Sequence, residues 1–304
     1  MKPCFSTLTC VDASPDEVIA LLKKYNMDGI EIRLDVAQTA FGIGLDGADA
    51  LRCKFTDAGI AIIDLGTGVN VTGLGDTDAE MTKARGCVDL AAALGAGAIR
   101  IFVGGHQAHI GDVPHEDKYG IVRFIRGLCT YAKEKNVEIW AETHSSHSTA
   151  AAMRSLADAV AMDNLRVIWD VLHSIEFRES PADSVAILGE LLAHVHLKDA
   201  RPSEDADATQ YIHTALGAGT MPLSLSSRNR TSVMPSTAAE AIASFLRRAT
   251  SASPRMPSGA LPSPKRPSRQ TRKQISLPSA ASFAAVAPAP ISISSGWGPT
   301  YRYR

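Results

Sequence analysis

Seven short apolar runs, recurring about every thirty residues, constrain the fold of this chain more than any other feature. They occupy residues 4–9, 29–34, 60–65, 98–103, 137–142, 165–170 and 193–198. Each is rich in Ile and Val and reads as a strand buried on both faces. Helical patterns lie between them. Ser14 and Pro15 mark a helix start, followed by Val18, Ile19, Leu21 and Leu22 on one side. Residues 76–94, 116–135, 148–162 and 181–192 carry further helices. Gly95-Ala96-Gly97 closes one of them as a helix stop rather than opening a phosphate loop. Strand–helix alternation of this kind implies a parallel sheet. An open doubly wound sheet and a closed (β/α)8 barrel both fit the count. Glu31, Glu142, Asp170 and His196 fall at or near the C-terminal ends of four different strands. A barrel converges those ends on one mouth, whereas an open sheet spreads them along an edge. The polar residues therefore favour an α/β TIM barrel.

The pattern dissolves after residue 223, before an eighth strand. Residues 224–304 hold ten of the 16 prolines and 17 serines, a composition that cannot bury a core. A helix-like island at 237–248 and an apolar stretch around 286 and 291–293 are the exceptions, and neither places an acid at a strand end. Charge divides at the same point. The tail has 12 Lys+Arg and one acid, Glu240, against 19 Lys+Arg and 31 Asp+Glu in residues 1–223. An acidic body of charge −12 is thus joined to a basic tail of +11, although the whole chain sums to −1. The expected organisation is a barrel over 1–223, incomplete at strand eight, and a disordered Pro/Ser/Arg-rich tail over 224–304. So abrupt a change suggests a shifted reading frame or an aberrant splice product. Five scattered cysteines without a C-x-x-C pair read as reduced thiols. No apolar run approaches a membrane span and the N-terminus has no signal-like apolar region. A cytoplasmic protein without a membrane partner is expected.

Several strand ends carry chemistry. Glu142 leaves a buried strand and must meet a cation, a metal or a proton unless it is simply solvated. Asp170 ends a strand with His173 three residues on, which brings both to one side of the ensuing turn. That pair suits Mn2+, Zn2+, Co2+ or Mg2+; the alternative is Asp170 as a helix cap and His173 in solvent. Alternation places His194, His196 and Lys198 on one strand face, with His196 nearer the mouth. His194 alone is read as a core or supporting residue, and Lys198 as a group reaching a sugar oxygen or phosphate, or as a surface lysine. Glu31 and Arg33 share a face and either form a structural ion pair or touch substrate. His144, His147 and His173 cluster near the mouth and add acid–base capacity. His106 and His109 lie on the loop after strand four, as lid or solvated residues.

Gly29-Ile30-Glu31, Glu142-Thr143-His144, Asp170-x-x-His173, His194-Val195-His196-Leu197-Lys198-Asp199 and Leu216-Gly217-Ala218-Gly219-x-x-Pro222 together resemble the sugar phosphate isomerase/epimerase family, with its xylose-isomerase-like TIM barrel. The likeness covers residues 1–223. It implies a divalent metal held by Glu142, Asp170 and His196, with a fourth glutamate from strand eight. Its catalytic residues would be Glu142, His173 and Lys198. Glu31, Arg33, His144 and His173 would bind a small-molecule sugar or sugar phosphate. The reaction implied is isomerisation or epimerisation: a proton moves next to a carbonyl, through an enediolate that the metal stabilises. A lyase of the same barrel, such as an inosose or dehydroshikimate dehydratase, shares these motifs. The tail supplies no strand-eight glutamate, so reduced or absent activity is expected. Two further readings compete. An apurinic-site endonuclease needs more His and Asp ligands, yet strand three ends Ile63-Asp64-Leu65-Gly66-Thr67 without a His, and residues 199–213 lack an Asp-x-His pair. The acidic body also opposes DNA, which the basic tail could offset; the third reading is a non-catalytic or truncated protein whose basic tail binds RNA, DNA or anionic surfaces. The sequence leaves a homo-oligomer open.

Overall fold

The computed structural model describes residues 3–10, 12–34, 44–106, 115–203, 211–216 and 218–221. The sequence expectations for the tail, for Gly217 and Pro222 and for His109 lie outside these residues.

Seven strands form one parallel sheet: β1 (Cys4–Ser6), β2 (Gly29–Arg33), β3 (Ala61–Val71), β4 (Ala98–Val103), β5 (Glu138–Glu142), β6 (Leu165–Asp170) and β7 (Leu192–His196). Each strand pairs with the next in chain order. The sheet curls far enough for distant strands to meet across its inside. Cys4 Sγ on β1 lies 3.6 Å from His194 Nε2 on β7. His196 of β7 reaches Glu31 of β2. This is the curled half of a TIM barrel, as the sequence suggested. Among the described residues no strand pairs with the outer edges of β1 and β7.

The helices are α1 (Pro15–Lys24), α2 (Leu45–Asp57), α3 (Thr77–Leu94), α4 (Lys118–Lys133), α5 (Ala150–Val160), α6 (Val171–Glu176) and α7 (Pro181–Leu188). The start of α1 is as expected. Ser14 Oγ accepts from Glu17 N, and Glu17 Oε2 accepts from Ser14 N at 2.8 Å, a complete capping box. Asp76 caps α3, and Gly95 ends it in the left-handed region at φ 69°. Helix α2 escaped the sequence reading because Gly44 precedes it without a side-chain cap. Its signal was there in Ala48, Leu51 and Phe55, all buried at helical spacing. No helix among the described residues is long and apolar enough to cross a membrane.

Two layers fill the inside of the curl. Ala98, Trp140 and Ile168 form a small apolar cluster of their own, with Ile63 and Ala193 packed against it. Strand alternation then places Arg100, Glu142 and Asp170 two residues further along β4, β5 and β6, on the same inner face. The apolar layer floors the polar one. Strand β3 runs past the apolar segment 60–65, through Gly66-Thr67-Gly68, where polar and glycine residues hide it. Gly66 lets two arginine side chains lie close against the strand. A Cβ would collide with the Arg33 side chain and come within 3.1 Å of Arg100 Nη2.

Beyond β7 a two-stranded antiparallel hairpin forms from β8 (Asp199–Pro202) and β9 (Tyr211–Thr214). It was not foreseen. The buried carboxylate of Asp199 accepts hydrogen bonds from Ala200 N (2.9 Å), Gly219 N (2.9 Å) and Met221 N (3.2 Å). The end of the His-Val-His-Leu-Lys-Asp segment and residues 219–221, distant in sequence, are therefore one structural unit. Replacing Asp199 with Ala orphans three N–H groups and should cost about 3 kcal/mol. The check is urea unfolding with hydrogen exchange at Gly219 and Met221; unchanged stability and protection would contradict the role.

Candidate active site

Side chains from six adjacent strands converge inside the curl: Glu31 from the middle of β2, Asp64 and Arg100 from the first halves of β3 and β4, and Glu142, Asp170 and His196 as the last residues of β5, β6 and β7. All six are buried. His196 sits at the centre. Its Nε2 is 3.0 Å from Glu31 Oε2 and its Nδ1 3.2 Å from Glu142 Oε1. Burial alone disfavours an imidazolium, but Glu142 and Glu31 outweigh it and lift the His196 pKa to about 10. Burial likewise opposes ionisation of Glu142, and His196 and Arg100 overcome it, holding that carboxyl well below its usual range. Arg100 Nη1 lies 3.3 Å from Glu142 Oε2, and the guanidinium rests 4.0 Å over the Phe102 ring. The second oxygen of Glu31 accepts from Ser6 Oγ at 2.6 Å.

Asp170 caps a helix, as one of its two sequence readings has it, but His173 is largely buried rather than in solvent. Oδ1 accepts from Leu172 N (3.1 Å) and His173 N (3.4 Å), capping α6. Oδ2 faces inward, 2.6 Å from Lys198 Nζ. That contact is ionic rather than directional, because Oδ2 receives no well-aligned hydrogen bond. Burial raises the Asp170 pKa, but Lys198 and His173 pull it below the usual value. Lys198 Nζ also lies 3.3 Å from His173 Nε2. A lysine ammonium can only donate, so Nε2 accepts and Nδ1–H donates to Glu176 Oε2 at 3.1 Å.

His144 stands between Phe102 and His173, with ring centroids 4.5 and 4.7 Å away. Its Nδ1 is 2.7 Å from Ser145 Oγ. Burial, then His173, push its pKa down to about 3, so it is neutral at physiological pH. His194 stacks on Trp140 and meets His196 edge-on, the supporting position expected for it. Arg33 lies against Gly66 beside Arg100. His147 belongs to a separate cluster, in which Ser146 Oγ donates to Glu116 Oε2 at 2.6 Å and lies 2.9 Å from His147 Nδ1.

The structure thus brings Glu142, Asp170, His173 and Lys198 together, with His196 adjoining through Glu142 and Glu31 through His196. One oxygen or nitrogen from each of Glu142, Asp170 and His173 lies within 4.8 Å of the others. The inward oxygen of Asp170 without an aligned donor, and the mixture of carboxylate and imidazole, fit a divalent cation. His196, expected to join Glu142 and Asp170 as the third ligand, is not part of that cluster, in which His173 takes the place; both His196 nitrogens face carboxylates, Nδ1 toward Glu142 and Nε2 toward Glu31.

Two inner residues escaped the sequence reading. Asp64 is opposite Glu31 in register, and neither of its oxygens has a hydrogen-bond partner among the described residues. Burial and the nearby Glu31 push its pKa well above the usual value. Arg100 neutralises Glu142. In each case a single charge inside an apolar run was the available signal.

Fold and site together define a metal-suited parallel barrel with its chemistry at the strand ends. The family model described as xylose isomerase-like TIM barrel matches residues 19–225, and the chain belongs to that family. No curated protein matches it. Among solved structures it resembles the probable 3-DHS dehydratase AsbF from Bacillus anthracis, at 20% identity and TM-score 0.59, over 70% of this chain and 83% of that one. The IolI protein with a bound zinc atom matches at 19% identity and TM-score 0.60, over 73% and 82%. A D-allulose 3-epimerase from Methylomonas sp. matches at 21% and 0.53, over 66% and 74%. These likenesses are of fold.

The His196 pairing fixes a sign for pH dependence. Its folded pKa, about 10, stands above the ordinary histidine value. The stability it contributes is complete below an unfolded pKa of about 6.5 and is lost as pH rises toward the folded value. In metal-free protein, His196→Gln should therefore cost more stability at pH 6 than at pH 10, measured by urea unfolding. An equal cost at both would contradict a charged His196.

Proposed function

We propose that this chain is a divalent-metal-dependent sugar or sugar phosphate isomerase or epimerase, moving a proton on the carbon beside a carbonyl. The observation that carries this reading is the pair of buried carboxylates, Glu142 and Asp170, at the ends of adjacent strands, with His196, His173 and Lys198 converging on them. Glu142, Asp170 and His196 would hold the metal, with Glu31 orienting His196 through Nε2. A bound Mn2+, Co2+, Mg2+ or Zn2+ would supply polarisation of the substrate carbonyl.

The protein's own groups do the rest. Glu142 takes the proton from carbon, and the C–H electron pair enters the enediolate. Delivery of that proton to the other carbon, with the hydroxyl proton passed to the former carbonyl oxygen, gives isomerisation; epimerisation needs a second acid to deliver a proton to the opposite face. While His196 is an imidazolium, Glu142 is a weak base. It becomes a useful one only when His196 is neutral, as a ligating imidazole must be. His173 presents Nε2 to a substrate hydroxyl, and its Nδ1–H bond to Glu176 fixes that tautomer. Lys198 donates to a substrate oxygen. Neutral His144, with Glu31 and Arg33, completes the binding surface.

The resemblance calls for a second acid–base glutamate on an eighth strand, and no described residue supplies one. Glu240, the sole acid after residue 223, lies outside the described residues. On this reading, residues 1–223 are the barrel, 224–304 are foreign to it, and turnover by this chain is weak. Metal analysis of the purified chain should show a bound divalent ion that Asp170→Ala reduces at least tenfold in affinity, the size of effect expected when a ligand carboxylate is lost. Equal metal in both proteins would remove the basis of the proposal. Vigorous ketose epimerisation would contradict the expected impairment alone.

A further inference from the structure

We propose that Lys198 is the built-in counter-cation of this site, whose ammonium a divalent metal must displace from Asp170 in order to bind. The proposal rests on the metal reading above and concerns what sets the metal affinity.

Three observations lead to it. Lys198 Nζ lies 2.6 Å from Asp170 Oδ2 and 3.3 Å from His173 Nε2. It therefore stands against Asp170, a ligand in the metal reading, and against His173, whose donor atom lies within 4.8 Å of those of Glu142 and Asp170. Second, the bond to Oδ2 is ionic without hydrogen-bond alignment. A cation held by charge alone is replaceable by another that needs no particular direction. Third, Lys198 and Asp170 are both buried, with side chains 6% and 0% exposed. In so dry a place two positive centres cannot share one carboxylate oxygen without strong repulsion.

The means of displacement is also present. Lys198 follows the last residue of β7 and precedes β8, so it lies outside both ladders. Its four-carbon stem is flexible and its ammonium is compact. Arg100 cannot substitute for it, being already engaged with Glu142 and Phe102. Once moved off Asp170, the ammonium becomes a donor for an anionic oxygen of whatever small molecule follows the metal. Metal and substrate would then bind in order, with Lys198 changing partners between them.

The test is Mn2+ affinity of the full chain, measured by calorimetry and by the electron paramagnetic resonance of free Mn2+, with no turnover required. Lys198→Met should bind Mn2+ at least tenfold more tightly than the parent, a difference of about 1.4 kcal/mol. Lys198→Gln keeps a donor for Asp170, so it repeats the test in a chain whose carboxylate is not left orphaned, with the same direction expected. Lys198→Arg keeps the competing charge and should bind no more tightly than the parent. Affinities for the Met and Gln variants equal to or weaker than the parent's would overturn the proposal while leaving the metal site standing. Absence of Mn2+ binding in every one of these proteins would overturn the metal reading itself, and the proposal with it.

Discussion

An imidazole between two carboxylates ties the sheet to itself. His196 bonds Glu31 on β2 through one nitrogen and Glu142 on β5 through the other. Strand β7 is thereby fastened to two strands that are not its neighbours. Backbone ladders give this sheet its order but only adjacent pairs, and among the described residues none joins β7 to β1. The link across the interior is made of side chains. It works because all three residues are buried, where attraction between opposite charges is little weakened by water.

Burying so many charges is unfavourable unless each has a partner. The interior meets this by alternating sign around the curl. Arg100 faces Glu142, Glu142 faces His196, His196 faces Glu31, and Lys198 faces Asp170. Asp64 is the member outside this scheme, and its pKa is raised by burial first and by Glu31 second, which His196 and Arg100 only partly offset. The apolar floor of Ala98, Trp140 and Ile168 keeps water from entering below.

Much of this was legible in the chain. Short apolar runs with Glu142, Asp170 and His196 at or near their ends locate strands and mouth together, because the period of two that buries one residue also aims the next but one, although β7 stops at His196, two residues short of the expected run. The helix stop at Gly95 and the start at Ser14 are local signals and emerged as read. What stayed hidden depends on distant partners. The length of β3 is disguised by Gly66-Thr67-Gly68, a sequence that looks like a turn until the Arg33 and Arg100 side chains it accommodates are known. The hairpin β8–β9 depends on Asp199 gathering N–H groups from some twenty residues downstream. No periodicity announces that. His173 was assigned a role by spacing, but its tautomer follows only from finding Lys198 on one side and Glu176 on the other.

Asp170 divides its two oxygens between the first turn of α6 and the interior. The carboxylate therefore cannot rotate toward a ligand without uncapping the helix that carries His173. A side chain on an ordinary loop could drift by an ångström to suit whatever arrives. Here helix and carboxylate act as a rigid bracket, so the site selects its occupant by size and reach, and adaptation has to come from the flexible arm of Lys198 on the opposite side.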